Sequence, residues 1–312
     1  MLRITRNLAI AGLVTLVTAG NALAERIQPF ILASSGPGDV ASTVAATKDK
    51  LKGAGFEIAG TYKPYSGAEI IVFTSDALKA AAKKSERGGY GAALRASVTK
   101  NGDNIEVAYT NPRYWANAYR MNDNLDAAST KLASTLGSMK QFSSGDKELS
   151  ADDMRKYHYT VMMEYFDDPS SLAEFNDHAS AVKTIVDNLA AGEGGTSMVY
   201  KIDVGKDPEG EEMTLIGVAL KGTSDKDCSG DKYIMSRIDK DTPRSTAHLP
   251  YEILVYGDEA EALYGRFRIA ISWPHLPMMA SETGATFMSI MCSPDAIKDA
   301  LTKVAGGKAD FF

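Results

Sequence analysis

The chain has 312 residues, 44% of them hydrophobic and 24% charged, with a formal charge of −6. That composition excludes a disordered chain, because there is ample apolar material for a core. The mild acidity, with no lysine or arginine cluster, gives no electrostatic footprint for nucleic acid.

Arg3 and Arg6 precede an apolar stretch from Leu8 to Gly20, and Ala22-Leu23-Ala24 completes a small-x-small cleavage pattern. An apolar run of roughly a dozen residues is shorter than the ~20 that cross a bilayer, and no later run is long enough either. Residues 1–24 are therefore predicted to be a secretory signal peptide, cut before Glu25, which sends a bacterial chain to the periplasm or beyond. A retained N-terminal anchor is the alternative. Cleavage leaves 288 residues and, without the two arginines, a formal charge of −8. Two domains of about 120 residues suit that length: a first α+β module over 25–140, a linker over 141–156 and a second module over 157–308.

In the first module Ile27–Leu32 reads as a strand, and Pro37 opens a helix that places Val40, Val44 and Leu51 on one face, with Gly53 and Gly55 as its stop. Strands are predicted at Phe56–Lys63 and Glu69–Phe73, joined by the turn Pro64–Gly67, followed by a lysine-rich helix over Ala77–Lys84. Strands near 92–99 and 104–110 flank Asn101-Gly102, the strongest short hairpin signal. A helix carrying Leu125, Ala128, Leu132 and Leu136 closes the module at Gly137. Gln141–Asp146 is polar and linker-like, and Ser150–Lys156 reads as a short helix.

The second module is predicted in the same order. A strand spans Tyr157–Phe166, and Asp168-Pro169 opens a helix with Ser171 and Glu174 as a capping box and with Leu172, Phe175, Val182, Ile185 and Leu189 as its buried stripe. Two strands meet at the turn Asp207–Gly210. Strands at 249–256 and 263–272 follow, then one at Thr286–Cys292 and a helix from Ser293-Pro294 to Gly306. Two stretches look duplicated: Ile105–Pro112 matches Phe267–Pro274 in its period-two apolar pattern and closing proline, and Ala92–Val98 matches Leu249–Val255. The chain thus reads as two diverged copies of one α+β module, with antiparallel hairpins and helices on one face.

The segments Pro250–Tyr256 and Val107–Pro112 resemble those of the domain-of-unknown-function family 302. The resemblance covers roughly residues 27–137 and 157–305 and implies a β-α-β(4)-α fold of the TATA-binding-protein-like type in each copy. It implies no activity and no catalytic residues.

Chemistry is concentrated in the second module, which holds both cysteines and all four histidines. In an exported chain Cys228 and Cys292 favour a disulfide. Two buried thiols, or a redox or metal role, are the alternatives. His275, in Trp273-Pro274-His275-Leu276-Pro277-Met278-Met279, joins an imidazole to thioethers, a set that copper or an axially ligated haem accepts. A surface histidine beside core methionines is the plainer reading. The aromatic group Tyr109, Arg113, Tyr114, Trp115 and Tyr119 either lines a ligand pocket or packs between the modules. No metalloprotease, phosphate-loop or serine-hydrolase motif is present. The sequence therefore points to a periplasmic binding or accessory protein that holds a small molecule, metal or haem in a cleft bordered by 223–247 and 273–283. An enzyme using His275 or His248 as general base, and a protein-interaction module, are the competing readings.

Overall fold

The computed structural model describes residues 26–143 and 148–308. The predicted signal peptide, its cleavage site before Glu25, and residues 144–147 of the predicted linker lie outside the described residues. Among those described, nine α-helices and three antiparallel sheets make a mixed α+β fold.

The first half runs β1 (Arg26–Ile27), β2 (Phe30–Gly36), α1 (Val40–Gly53), β3 (Glu57–Tyr62), β4 (Ala68–Thr74) and α2 (Asp76–Ala82). A 3-10 helix (Gly88–Ala92), the hairpin β5 (Leu94–Asn101) and β6 (Asn104–Thr110), then α3 (Pro112–Ala118) and α4 (Asp126–Leu136) complete it. β7 (Lys140–Phe142), β8 (Leu149–Ser150) and α5 (Ala151–Arg155) lead across. The second half runs β9 (Ser170–Glu174), α6 (His178–Ala191), β10 (Thr196–Lys206), β11 (Glu212–Leu220) and α7 (Asp231–Ile238). There follow a 3-10 helix (Thr246–His248), β12 (Tyr251–Tyr256), β13 (Glu259–Ala262), α8 (Gly265–Ser272), another 3-10 helix (Phe287–Ile290) and α9 (Ser293–Ala305). The sheet orders are β3-β4-β5-β6-β2-β7 and β10-β11-β12-β13-β9. Apart from β7, they correspond strand for strand.

Local chemistry sets the helix ends. Asp39, Ser75 and Asp177 accept backbone N–H groups at the starts of α1, α2 and α6, and left-handed Gly192 and Gly306 end α6 and α9. Helices α1 and α4 cover one face of the first sheet, and α6 and α9 one face of the second. The uncovered faces turn towards each other. Two 3-10 segments reach across this seam: Gly88–Ala92 packs on β11 and β12, and Thr246–His248 on β5 and β6. Strands β4, β5, β11 and β12 are therefore buried on both faces, which removes the polar alternation of a half-exposed sheet.

At the centre of the seam, Arg95 of β5 pairs with Glu252 of β12, and both side chains are 2% exposed. Tyr200 donates to the same carboxylate at 3.1 Å. A second guanidinium, Arg268 of α8, lies 3.7 Å from it. Helices α3 and α8 also meet here, with the Tyr114 hydroxyl donating to the Ile271 carbonyl at 2.8 Å.

Three predicted strands are corrected. The segment 263–272 is not a strand: Gly265–Ser272 forms α8, buried except at Arg266, and a short helix so enclosed has no period to distinguish it from a strand. The true partner of β12 is β13, one turn after Gly257. Tyr157–Phe166 forms irregular turns, and the strand lies at β9, where a helix start was expected; α6 begins later, with the Asp177 carboxylate accepting the Ser180 N–H at 2.7 Å. Thr286–Cys292 contains a 3-10 helix because Thr286 caps it and Phe287 and Ile290 point inward at a three-residue period. Pro112 does mark the end of β6 at Thr110, and it also opens α3. The expected linker is also partly folded onto the first half: β7 pairs with β2 and β8 with β1.

Because Glu252 compensates buried guanidinium groups, Glu252→Ala is expected to lower stability by about 3–5 kcal/mol. Adding Arg95→Ala to that variant is expected to cost little more. A double-mutant cycle by urea unfolding checks both values.

Candidate functional site: a basic cleft between the halves

The residues singled out by sequence do not gather into one site. Cys228 and Cys292 form a disulfide that closes a separation of 64 residues. It ties the loop ahead of α7 to the start of α9, with the Tyr233 hydroxyl 3.8 Å and 3.6 Å from the two sulfurs. Neither cysteine is thus free to act as a thiolate ligand. His248 is wholly buried. Its Nδ1 accepts from Arg268 at 2.9 Å, so the ring proton sits on Nε2, 3.1 Å from the Tyr251 hydroxyl. Burial, then the Arg268 and Arg95 charges, hold its pKa well below the usual histidine range. An imidazole so engaged has no lone pair for a metal or a substrate.

His275 Nε2 lies 2.7 Å from the Ser143 hydroxyl, while Met278 is exposed. Among the described residues, no three His, Cys, Asp or Glu side chains converge as a metal-binding group. The aromatic candidates of the first half are packing groups. Trp115 donates to the Pro29 carbonyl at 2.9 Å and Tyr109 to the Gly137 carbonyl at 3.1 Å, both rings being buried. Arg113 pairs with Asp126 at 2.6 Å and edges a cavity of about 270 Å³.

A different set of residues does converge. A cleft of about 440 Å³ opens between the β3–β4 turn and the end of β5 on one side, and α7 with the loop after it on the other. Its walls carry Lys100 from the first half and Lys232, Lys240 and Arg244 from the second, together with Tyr65 and Asp239. The walls are fixed to each other. Tyr65 and Thr99 both meet the Thr246 hydroxyl, at 2.8 and 2.9 Å. Glu106 accepts the Arg244 backbone N–H at 3.0 Å, and Asn101 donates to Thr242 at 3.0 Å.

The charges are unevenly matched. Lys100 and Lys240 have no acidic partner among the described residues, and the Lys232–Asp225 pair at 3.0 Å is solvent-exposed and screened. Arg244 is held by the Asp239 carbonyl through its Nη1. The one carboxyl in the wall, Asp239, is buried; one oxygen accepts the Ser245 N–H at 2.9 Å and the other has no partner. Burial pushes its pKa up to about 7, against the opposing pull of the Ser245 N–H and the Arg244 charge. Burial, then the Asp239 charge, also raises the Tyr65 hydroxyl above its ordinary value. Near neutrality the cleft thus presents four cations and a carboxyl that is only partly ionised, an arrangement that favours an anion.

The stretch 223–247, expected to be irregular, contains α7, and it supplies Lys232, Lys240 and Arg244 to this cleft. Lys100 and Tyr65 come from elements far away in the chain, and the expected second border, 273–283, is absent from this cleft. The chain matches no model of a known protein family, and no curated protein matches it.

A carboxyl that ionises at 3.8 in the unfolded chain and at about 7 when folded makes folding more favourable while it keeps its proton. Its contribution is complete below pH ~4 and is lost as the pH rises towards ~7, an effect on the order of 4 kcal/mol. Asp231, buried where the Tyr62 hydroxyl and the Leu220 N–H donate to it, is raised to about 7 by burial as well. Asp239→Asn is expected to flatten the fall in stability between pH 4 and 8, and Asp231→Asn to flatten it further. Urea denaturation across that range measures the slopes.

Proposed function

We propose that this chain is a binding module for a small anionic ligand, held in the cleft between its halves, and that it works without catalysing a reaction. One observation carries this reading: Lys100, Lys232, Lys240 and Arg244, brought from both halves, line one cleft and outnumber its single acid. A volume of about 440 Å³ lies in the range of small-molecule sites, and a boundary between two packed units is a common place for them. The disulfide supports a role outside the reducing cytoplasm, in keeping with the predicted export to the periplasm. No helix among the described residues is long and apolar enough to cross a membrane.

We also infer that the two halves are diverged copies of one module. The support is their common order, β-α-β-β-α-(3-10)-β-β-α-α, to which the second half adds 3-10 helices at Glu193–Gly195 and Phe287–Ile290, and the matching strand order of their sheets. The similarity of Ala92–Val98 to Leu249–Val255 falls on corresponding strands, β5 and β12. Helices α2 and α7 interrupt the four-strand run of a β-α-β(4)-α unit, so the likeness to family 302 bears on the hairpin strands rather than on the whole module.

The ligand reading is tested by calorimetry and thermal shift at low salt with citrate, pyrophosphate and glucuronate, each against the neutral sugar glucose. At least one anion is expected to bind and stabilise the fold, with affinity falling as salt is added. Lys100→Ala together with Lys240→Ala is expected to weaken it by about tenfold or more, since each lost charged hydrogen bond is worth ~1.5–3 kcal/mol. Binding of none of the three, or equal binding by the double variant, would refute the proposal.

A further inference from the structure

Nine large apolar side chains are exposed among the described residues, and seven of them are methionines. No leucine, isoleucine or phenylalanine among the described residues is exposed. An imperfect core would leave all of these residue types at the surface, so what the fold presents to solvent is the thioether rather than apolar area in general. Four of the seven lie within 278–291, and the backbone gathers three of them. The Phe287 N–H donates to the Pro277 carbonyl and the Met288 N–H to the Met278 carbonyl, both at 3.0 Å. The loop between is thereby closed at its base, with Met278 and Met288 side by side. The 3-10 helix Phe287–Ile290 follows, with Phe287 and Ile290 buried, and Met291 continues its helical backbone at φ −55° and ψ −32°. Residues three apart in such a helix lie one above the other, about 6 Å apart, so Met288 and Met291 share the outer face. The base is fixed: the Tyr159 and Phe287 rings meet at 4.4 Å, and Cys292, next to Met291, is held in the disulfide.

We propose that Met278, Met288 and Met291 form a surface site for copper(I), bound through their three thioether sulfurs. Thioethers are neutral, polarisable donors that select copper(I) over magnesium, calcium or zinc. The cysteine sulfurs of this chain are consumed in the Cys228–Cys292 bridge, whereas a thioether cannot form a disulfide and stays a ligand where thiols are oxidised. Local charge points the same way. Arg237 of α7 stacks on the Tyr233 ring at 3.5 Å, and the Tyr233 hydroxyl lies 3.6 Å from the Cys292 sulfur, so a guanidinium stands at the Met291 end of the site. Between residues 273 and 292 the single carboxylate is Glu282. A guanidinium opposes a hard ion of high charge most, and an ion of charge +1 held by donated sulfur lone pairs least. His275 stands outside the set, its Nε2 engaged with the Ser143 hydroxyl at 2.7 Å. The three methionines share no residue with the basic cleft, so the two sites are tested separately.

The test uses the full chain with its disulfide intact. Copper(I) affinity is measured without oxygen by competition with bicinchoninate, and silver(I), a soft ion stable in air, is titrated in nitrate buffer against protein isotope-labelled at its methionine methyl groups and followed by NMR. One equivalent of silver(I) is expected to move the methyl signals of Met278, Met288 and Met291 together and to leave those of Met139 and Met198 in place. The copper(I) Kd is expected to be about micromolar or tighter and to stay constant within about twofold from pH 5 to 7, because a thioether has no proton to lose. Met278→Leu, Met288→Leu and Met291→Leu together are expected to weaken binding by at least about tenfold with no change in melting temperature, since the swap conserves volume. Met139→Leu with Met198→Leu is expected to leave it unchanged. Three results would each overturn the proposal: no binding at ~0.1 mM copper(I); equal binding by the triple leucine variant; or an affinity that falls about tenfold from pH 7 to 5 and disappears in His275→Gln, which would assign the metal to the imidazole.

Discussion

The arrangement of the two halves depends on the ion pair between Arg95 and Glu252. Both ends are almost without solvent, where an unpaired charge costs several kcal/mol. The two sheets must therefore meet in the one register that brings these side chains together. Two guanidinium groups face one carboxylate there, and the excess charge is dispersed: Arg268 donates to the Ser272 hydroxyl and to the carbonyl of His248, and lies 5.0 Å from the Trp115 ring centre. Burial, then the Arg268 charge, pulls the Arg95 guanidinium below its ordinary pKa. The cost of this polar centre is offset by the apolar packing that surrounds it, and what it contributes is a defined relation between the halves.

That constraint explains what could be read from the chain in advance. Elements with one wet face were legible. The apolar stripe of α9, the Asn101-Gly102 hairpin and the Asp207–Gly210 turn all lie where their local chemistry predicts. The disulfide was legible too, since two cysteines in a chain predicted to be exported have few other partners. Elements at the seam were not. α8 is almost wholly enclosed, so the alternation of Phe267, Ile269 and Ile271 imitates a strand, and Tyr114, Trp115 and Tyr119 could be read as a pocket lining or as packing between the modules because nothing local decides which. The segments 157–166 and 286–292 misled for a related reason: methionine and aromatic runs imitate strands whether they face inward or outward. The cleft was least legible of all, because Lys100 and Lys240 become neighbours only when the seam closes.

The seam has two ends, and comparing them sharpens the functional reading. At one end the turn carrying Tyr65 and the loop carrying Arg244 frame the basic cleft. At the other, the corresponding turn with Pro208 and the corresponding loop with Arg87 frame a second cavity of about 380 Å³. In volume and in the elements that frame them the two are alike. Their electrostatics differ. In the second cavity each cation is matched: Lys84 by Asp123, Arg120 by Asp167, and Arg87 by both Glu86 and Glu261. In the first, Lys100 and Lys240 face the opening unmatched. A self-neutralised pocket gains little by taking up an anion, since existing pairs must be broken first. An unmatched one gains the full interaction. The folding constraint thus creates two pockets of similar volume, and the distribution of acids leaves one of them suited to an anion.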